Sequence, residues 1–98
     1  MALMEVGKVG TFGAQKYTDS GWVTVENGRE RYTDAMLRHV LAEYSGESVD
    51  SESELLHAAH AAWNALARLE LELRKNLTDR SGSAITEKII ESLRPTKS

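Results

Sequence analysis

Three residues with side chains able to hold a ligand recur on one side of the longest helical stretch of this 98-residue chain: His57, His60 and Asn64. The stretch is Leu55 to Leu77, LLHAAHAAWNALARLELELRKNL. At about 100° per residue these three form a polar stripe, roughly opposite an apolar seam of Leu55, Ala59, Ala62, Leu66, Leu69 and Leu73. Histidines three apart on a helix can approach a common metal ion, but zinc sites take three or four ligands, and neither an HExxH motif nor any cysteine is present. Neutral imidazoles that hydrogen-bond a ligand or a neighbour are the simpler expectation. A phosphate site is easier to assemble. Lys16, Arg31, Arg38, His39, His57 and His60 supply donors for a polyanion, and Tyr17, Trp22 or Trp63 supplies a ring to cover a base. Each also has an ordinary reading as surface cation or core aromatic. For divalent cations the candidates are Asp34, Asp50 and Glu52, although the acidic GESVDSESE run lacks the spacing of a calcium loop.

These residues need a scaffold, and the composition bounds it. With 28% charged and 41% hydrophobic residues, the chain has the profile of one small globular domain whose core is limited. A net charge of −3 gives no general attraction to DNA or RNA, while a local basic pocket can still take a small phosphorylated ligand. The absence of cysteine excludes disulfide and thiolate chemistry. No signal-like segment or membrane-length apolar span is seen, so a cytoplasmic setting is expected.

In chain order, Leu3, Val6, Val9 and Phe12 recur at helical spacing, but Gly7, Gly10 and Gly13 interrupt them. Each interior glycine costs about 1 kcal/mol against alanine. A helix over the first half of residues 2–17 is expected, its glycines serving close approach to a neighbour. Trp22–Glu26 (WVTVE), Asn27-Gly28 and RERY read as a short β-hairpin, since both turn positions accept positive φ. Residues 33–45 predict a helix capped by Thr33, with Met36, Leu37, Val40, Leu41 and Tyr44 as its apolar stripe and Gly46 as its stop. The pairs Asp34–Arg38 and His39–Glu43 flank that stripe at i,i+4. Asp50 or Ser51 is placed to cap the long helix, whose alanine-rich first half permits neighbours on several sides. After the polar TDRSGS, Ile85, Ile89, Ile90 and Leu93 suggest a short amphipathic helix ending before Pro95. The expectation is an all-α small helical bundle with a short β-hairpin or loop insertion, completed by homo-oligomerisation: residues 1–77 as a helical nucleotide-binding core, and 78–98 as linker and short C-terminal amphipathic helix.

Several ordered blocks also carry a resemblance: FGAQKY at 12–17, Trp22, RYTDAMLRH at 31–39, SGESVDSES at 45–53 and HAAHAAWNAL at 57–66. Over roughly residues 3–72 the chain resembles the phage-associated family named for the N-terminal domain of dATP/dGTP diphosphohydrolase, relatives of MazG-like nucleotide pyrophosphatases. The resemblance implies an all-α oligomer acting on purine nucleotides, and it adds weight to Lys16, Tyr17, Trp22, Asp34, Arg38, His39, Asp50, Glu52, His57, His60 and Asn64. Where relatives show Gly-Leu-Pro-His at the entry to the long helix, this chain has Glu54-Leu55-Leu56-His57. The MazG-type carboxylate signature, EExxE with a later ExxD, is not found as a whole. That group uses carboxylate-held Mg²⁺ to orient water at a phosphoanhydride. Two functions follow as expectations. One is sequestration, without hydrolysis or a required cofactor, of a purine nucleotide or nucleotide-derived, possibly cyclic, signal in an intersubunit pocket, as a phage anti-defence protein would do in the host cytoplasm. The alternative is Mg²⁺- or Mn²⁺-dependent hydrolysis of dATP or dGTP to monophosphate and pyrophosphate.

Overall fold

A computed structural model describes residues 1–16, 21–79 and 91–93. Three helices carry the architecture: α1 (Ala2–Lys16), α2 (Gly28–Tyr44) and α3 (His57–Asp79), with a 3₁₀ turn at Gly21–Thr24. The main pairing is α2 against α3, and α1 packs on α3 beside it. The all-α expectation stands. Tyr17 and most of the expected C-terminal segment lie outside the described residues; within that segment Glu91–Leu93 are helical. Helix α3 runs to Asp79, through the first two residues of the expected linker.

The hairpin expected around Asn27-Gly28 is replaced by helix. Trp22 and Val23 lie in the 3₁₀ turn, and RERY belongs to the first two turns of α2. Asn27 does adopt the left-handed conformation that suggested a hairpin turn, with φ 55°, but the single reversal leads the chain into α2. A local Asn-Gly signal specifies positive φ, and the packing that follows decides whether a strand or a helix comes next. At Gly28 a Cβ would stand 3.0 Å from Leu71 Cδ1, so the start of α2 approaches α3 closely. Thr33, expected as N-cap, therefore sits inside the helix. Its hydroxyl donates to the Arg29 carbonyl at 2.6 Å and accepts from Arg68 Nε of α3 at 2.5 Å.

Helix α1 is complete to Lys16, longer than its glycines suggest. Gly10 explains part of this, because a Cβ there would lie 3.1 Å from Trp63 Nε1. The absent side chain lets the indole of α3 settle on the α1 backbone. Around that indole, Trp22, Tyr32 and Trp63 meet edge to face with centroids 5.6–6.4 Å apart, the preferred geometry of aromatic quadrupoles. The Tyr32 hydroxyl donates to the Trp22 carbonyl at 2.6 Å, tying the 3₁₀ turn to α2.

Helix α3 turns its polar stripe, rather than its leucines, toward the inside. His57, His60 and Asn64 are buried at 4%, 8% and 6% exposure, together with Ala67, while Leu66, Leu69 and Leu73 of the leucine seam are about half exposed. Helix α2 behaves the same way: Leu37, Val40, Leu41 and Tyr44 are exposed, and Tyr32, Met36 and His39 turn toward α3. The leucines at the C-terminal end of the α3 seam and the exposed apolar residues of α2 thus line the outside of the pair, Ala59 of the seam is buried, and the polar stripe lines the inside. Burial of the stripe is tolerable because each polar group finds a partner, which removes most of the desolvation cost.

Candidate functional site

The site is built by the end of α2, the reversal after it and the first turns of α3. Helix α2 closes in a Schellman arrangement: Gly46 takes φ 102°, its N–H donates to the Glu43 carbonyl, and the Glu47 N–H donates to that of Ala42, each at 3.0 Å. Residues 47–56 then fold back on themselves. Val49 and Leu56 form an isolated antiparallel bridge, carried by Asp50 N–H to the Leu55 carbonyl (2.8 Å) and His57 N–H to the Ser48 carbonyl (2.9 Å). The Asp50 carboxylate accepts from the Ser53 N–H at 2.8 Å, and Ser53 Oγ accepts from the Leu55 N–H at 3.2 Å. Asp50 therefore caps the turn that delivers α3, rather than α3 itself. Glu54, at the last corner before α3, adopts φ 61°. Positive φ is needed there, and this chain meets the need with an L-residue at a conformational cost.

This turn places three histidines together. His39 Nδ1 and His57 Nδ1 are 2.8 Å apart, and the His39 ring stacks on that of His60 with centroids 4.4 Å apart and planes 12° from parallel. His57 Nε2 meets Glu47 Oε1 at 3.1 Å, and His60 Nε2 meets Ser53 Oγ at 2.6 Å and Asp50 Oδ2 at 3.9 Å. A carboxylate only accepts, so in its contact with Glu47 the His57 ring donates from Nε2; in the tautomer whose Nδ1 is bare, His39 donates to it from its own Nδ1. Phe12 of α1 closes the far side, edge-on to His60 at 6.4 Å. Beside Phe12 and Ser53 lies a shallow groove of about 510 Å³, with Lys8, Thr11 and Gln15 along its α1 wall.

The electrostatics favour neutral rings at His39 and His60. Burial pushes the His39 imidazole below its ordinary pKa, with the neighbouring His60 and His57 rings and Arg38 adding to the effect against Asp50. Burial likewise lowers His60, against an upward pull from Asp50 and Glu52. For Asp50, burial raises the carboxyl, but the hydrogen bonds from Ser53 and the charges of His60 and His39 outweigh it and hold the group below the carboxylate range. Near neutral pH His39 and His60 thus present unprotonated nitrogens beside the ionised Asp50 carboxylate, a set able to accept protons or ligate a metal. His39, Asp50 and His57 each offer a ligand atom, and those atoms lie within 4.8 Å of one another.

Of the sequence candidates, His39, Asp50, His57 and His60 converge here. Asn64 is buried one turn beyond His60, its amide donating to the His60 carbonyl at 2.8 Å. Arg38, Arg31 and Asp34 are exposed on α2, and Glu52 is exposed within the turn. Lys16 ends α1. Trp22 belongs to the aromatic cluster, whose Tyr32 lies about 10 Å along α2 from His39 at 1.5 Å per residue. His39 is engaged by His57 and His60 rather than by Glu43. Sequence reasoning missed Glu47 and Ser53. Glu47 was legible in Glu47-Ser48-Val49-Asp50, an ExxD spacing standing alone; Ser53 carried no signal apart from the turn that orients it.

A helical pair with a part-buried histidine–carboxylate cluster at one end is the class of site the fold defines. Residues 1–81 match the family described as dATP/dGTP diphosphohydrolase, N-terminal, and the chain belongs to that family. A dATP/dGTP diphosphohydrolase of Salmonella phage PMBT28 is 43% identical over 58 residues, covering 59% of this chain and 19% of the relative. The chain thus spans about a fifth of that relative's length. No solved structure matches. None of the described helices is long and apolar enough to cross a membrane.

Proposed function

We propose that this chain acts on purine deoxynucleoside triphosphates as a domain of the dATP/dGTP diphosphohydrolase kind, releasing monophosphate and pyrophosphate. The observation that carries the reading is that the family match over residues 1–81 encloses the whole histidine–carboxylate cluster. Hydrolysis of a phosphoanhydride needs a water relieved of its proton and cations to meet the triphosphate charge. Neutral His60 supplies the proton acceptor, and exposed Arg38, next to His39 on α2, supplies positive charge. The groove beside Phe12 and Ser53 is the place for the nucleotide, with Lys8 on its wall. The relative's name favours turnover over sequestration of an intact nucleotide. The setting in this reading is the cytoplasm of an infected cell.

Incubation of the purified protein with dATP, dGTP and their ribonucleotides, with Mg²⁺, with Mn²⁺ and with neither, separates the two functions. Monophosphate and pyrophosphate formed over many turnovers support hydrolysis; stoichiometric depletion, with intact nucleotide recovered after heat denaturation, supports sequestration instead. A second feature concerns assembly. Among the described residues the buried apolar side chains are only Val9, Ala59 and Ala67, while Leu66, Leu69, Leu73 and Leu77 form a half-exposed outer seam. Covering that seam with a second copy is the economical way to bury it. Light scattering is expected to give an oligomer that Leu69→Glu dissociates, and a monomeric wild type would refute the assembly.

A further inference from the structure

We propose that His39, Asp50 and His57 form a binding site for one transition-metal ion of the Zn²⁺ or Co²⁺ class, with Glu47 as the group that orients His57. Three observations carry it. The donor atoms of the three residues lie within 4.8 Å of one another, little more than the ~4.2–4.4 Å that two donors bound at ~2.1–2.2 Å to one ion can span, so a small inward movement of the side chains closes the set. The two Nδ1 atoms are 2.8 Å apart, close to the roughly 2.9–3.4 Å that separates two nitrogens bound at ~2.0–2.1 Å to one ion. Insertion then asks for an outward shift of a few tenths of an ångström, with the ring proton of His39 moving to Nε2. Third, the opposite nitrogen of His57 already meets a carboxylate, Glu47 Oε1 at 3.1 Å, the arrangement that fixes the tautomer of a metal-ligating histidine and raises its basicity.

The donor chemistry selects the ion. Two imidazoles and one carboxylate suit the later first-row divalent ions, whereas Mg²⁺ demands near-octahedral oxygen ligation and retains its waters. His60 stands outside the ligand set: it stacks on His39 and is held by Ser53, so it supports the orientation of a ligand. Asp50 is likewise held in place, by the Ser53 N–H. Three protein donors leave positions for water or a phosphate oxygen, the composition of an open rather than a closed site. The proposal does not rest on the hydrolase reading, since an ion bound here serves a nucleotide-binding protein equally.

The test reads metal binding without nucleotide. Full-length protein stripped by chelator is titrated with Co²⁺ and Zn²⁺, following the visible Co²⁺ spectrum and the heat of binding, with circular dichroism as the check on fold. Saturation at one ion per chain, with a ligand-field spectrum that excess Zn²⁺ removes and excess Mg²⁺ does not, is the expected result. His39→Gln and Asp50→Asn are expected to abolish the spectrum, and Glu47→Gln to weaken affinity about 10–100-fold, each with helicity unchanged. His57 is avoided as a test position because it is buried. A helical wild-type protein without saturable binding overturns the site, and so does binding undiminished in both ligand variants. If metal binds as expected and no nucleotide is hydrolysed, the metal site stands and the hydrolase reading falls.

Discussion

Replacing Glu54 by glycine is expected to stabilise the protein, and the magnitude follows from one dihedral angle. Glu54 holds φ 61° at the last corner before α3, with its N–H bonded to the Asp50 carbonyl at 2.8 Å. An L-residue in the left-handed region costs about 1–2 kcal/mol through the clash of Cβ with the following carbonyl. Glycine removes that cost but surrenders about 0.5–1 kcal/mol of extra backbone entropy on folding. Because the Glu54 side chain is exposed, little packing is lost. The net gain is about 0.5–1 kcal/mol, or about 2–8 °C in midpoint for a domain of this size. Glu54→Val provides the opposite sign, because a β-branched residue is a true outlier at positive φ. Urea and thermal denaturation of the three proteins measure the order Gly, Glu, Val. If glycine destabilises and valine does not, the corner is not left-handed, and the placement of Ser53, Asp50 and His57 built on it falls too.

The glycines of α1 make a second comparison. Gly7→Ala and Gly13→Ala meet nothing within 4 Å and are expected to gain about 0.5–1 kcal/mol each from helix propensity, while Gly10→Ala sets that gain against the contact with Trp63 Nε1 at 3.1 Å. Thermal midpoints should rank Gly10→Ala lowest of the three; a gain there equal to the others would place Trp63 elsewhere. Acid provides a third test, on metal-free protein. His39 and His60 have folded pKa values below the ordinary 6.5, so as pH falls through that value the unfolded chain takes up protons first. The stabilisation they give is complete above about pH 6.5 and is lost as pH falls through their folded values. Asp50, lowered from 3.8, adds a loss of the same sign at lower pH. Denaturation midpoints measured from pH 8 to 4 should fall below 6.5, and a rise on acidification would contradict neutral His39 and His60 in the folded protein.

Much of the chain is legible before folding. Helical periodicity located α3 within two residues of its start, Gly46 marked the end of α2, and His39, Asp50, His57 and His60 stood out by type and spacing. These are local properties, set by the period of the helix and by the conformations glycine and asparagine tolerate. Asn27 shows where local information ends: it dictates positive φ, and the contact of Gly28 with Leu71 decides that α2 begins there. The inside and outside of the helices were likewise undetermined. A helix with leucines on one side and histidines on the other can bury either face, provided the buried polar groups are paired, and the pairing partners are remote in sequence. Glu47 and Ser53 reach His57 and His60 only after the turn has closed, and His39 arrives from another helix. The sequence by itself determined the helices and the residue types able to do chemistry. Tertiary structure alone decided that the polar stripe faces inward, because that choice rests on hydrogen bonds between segments that no periodicity along one segment can encode.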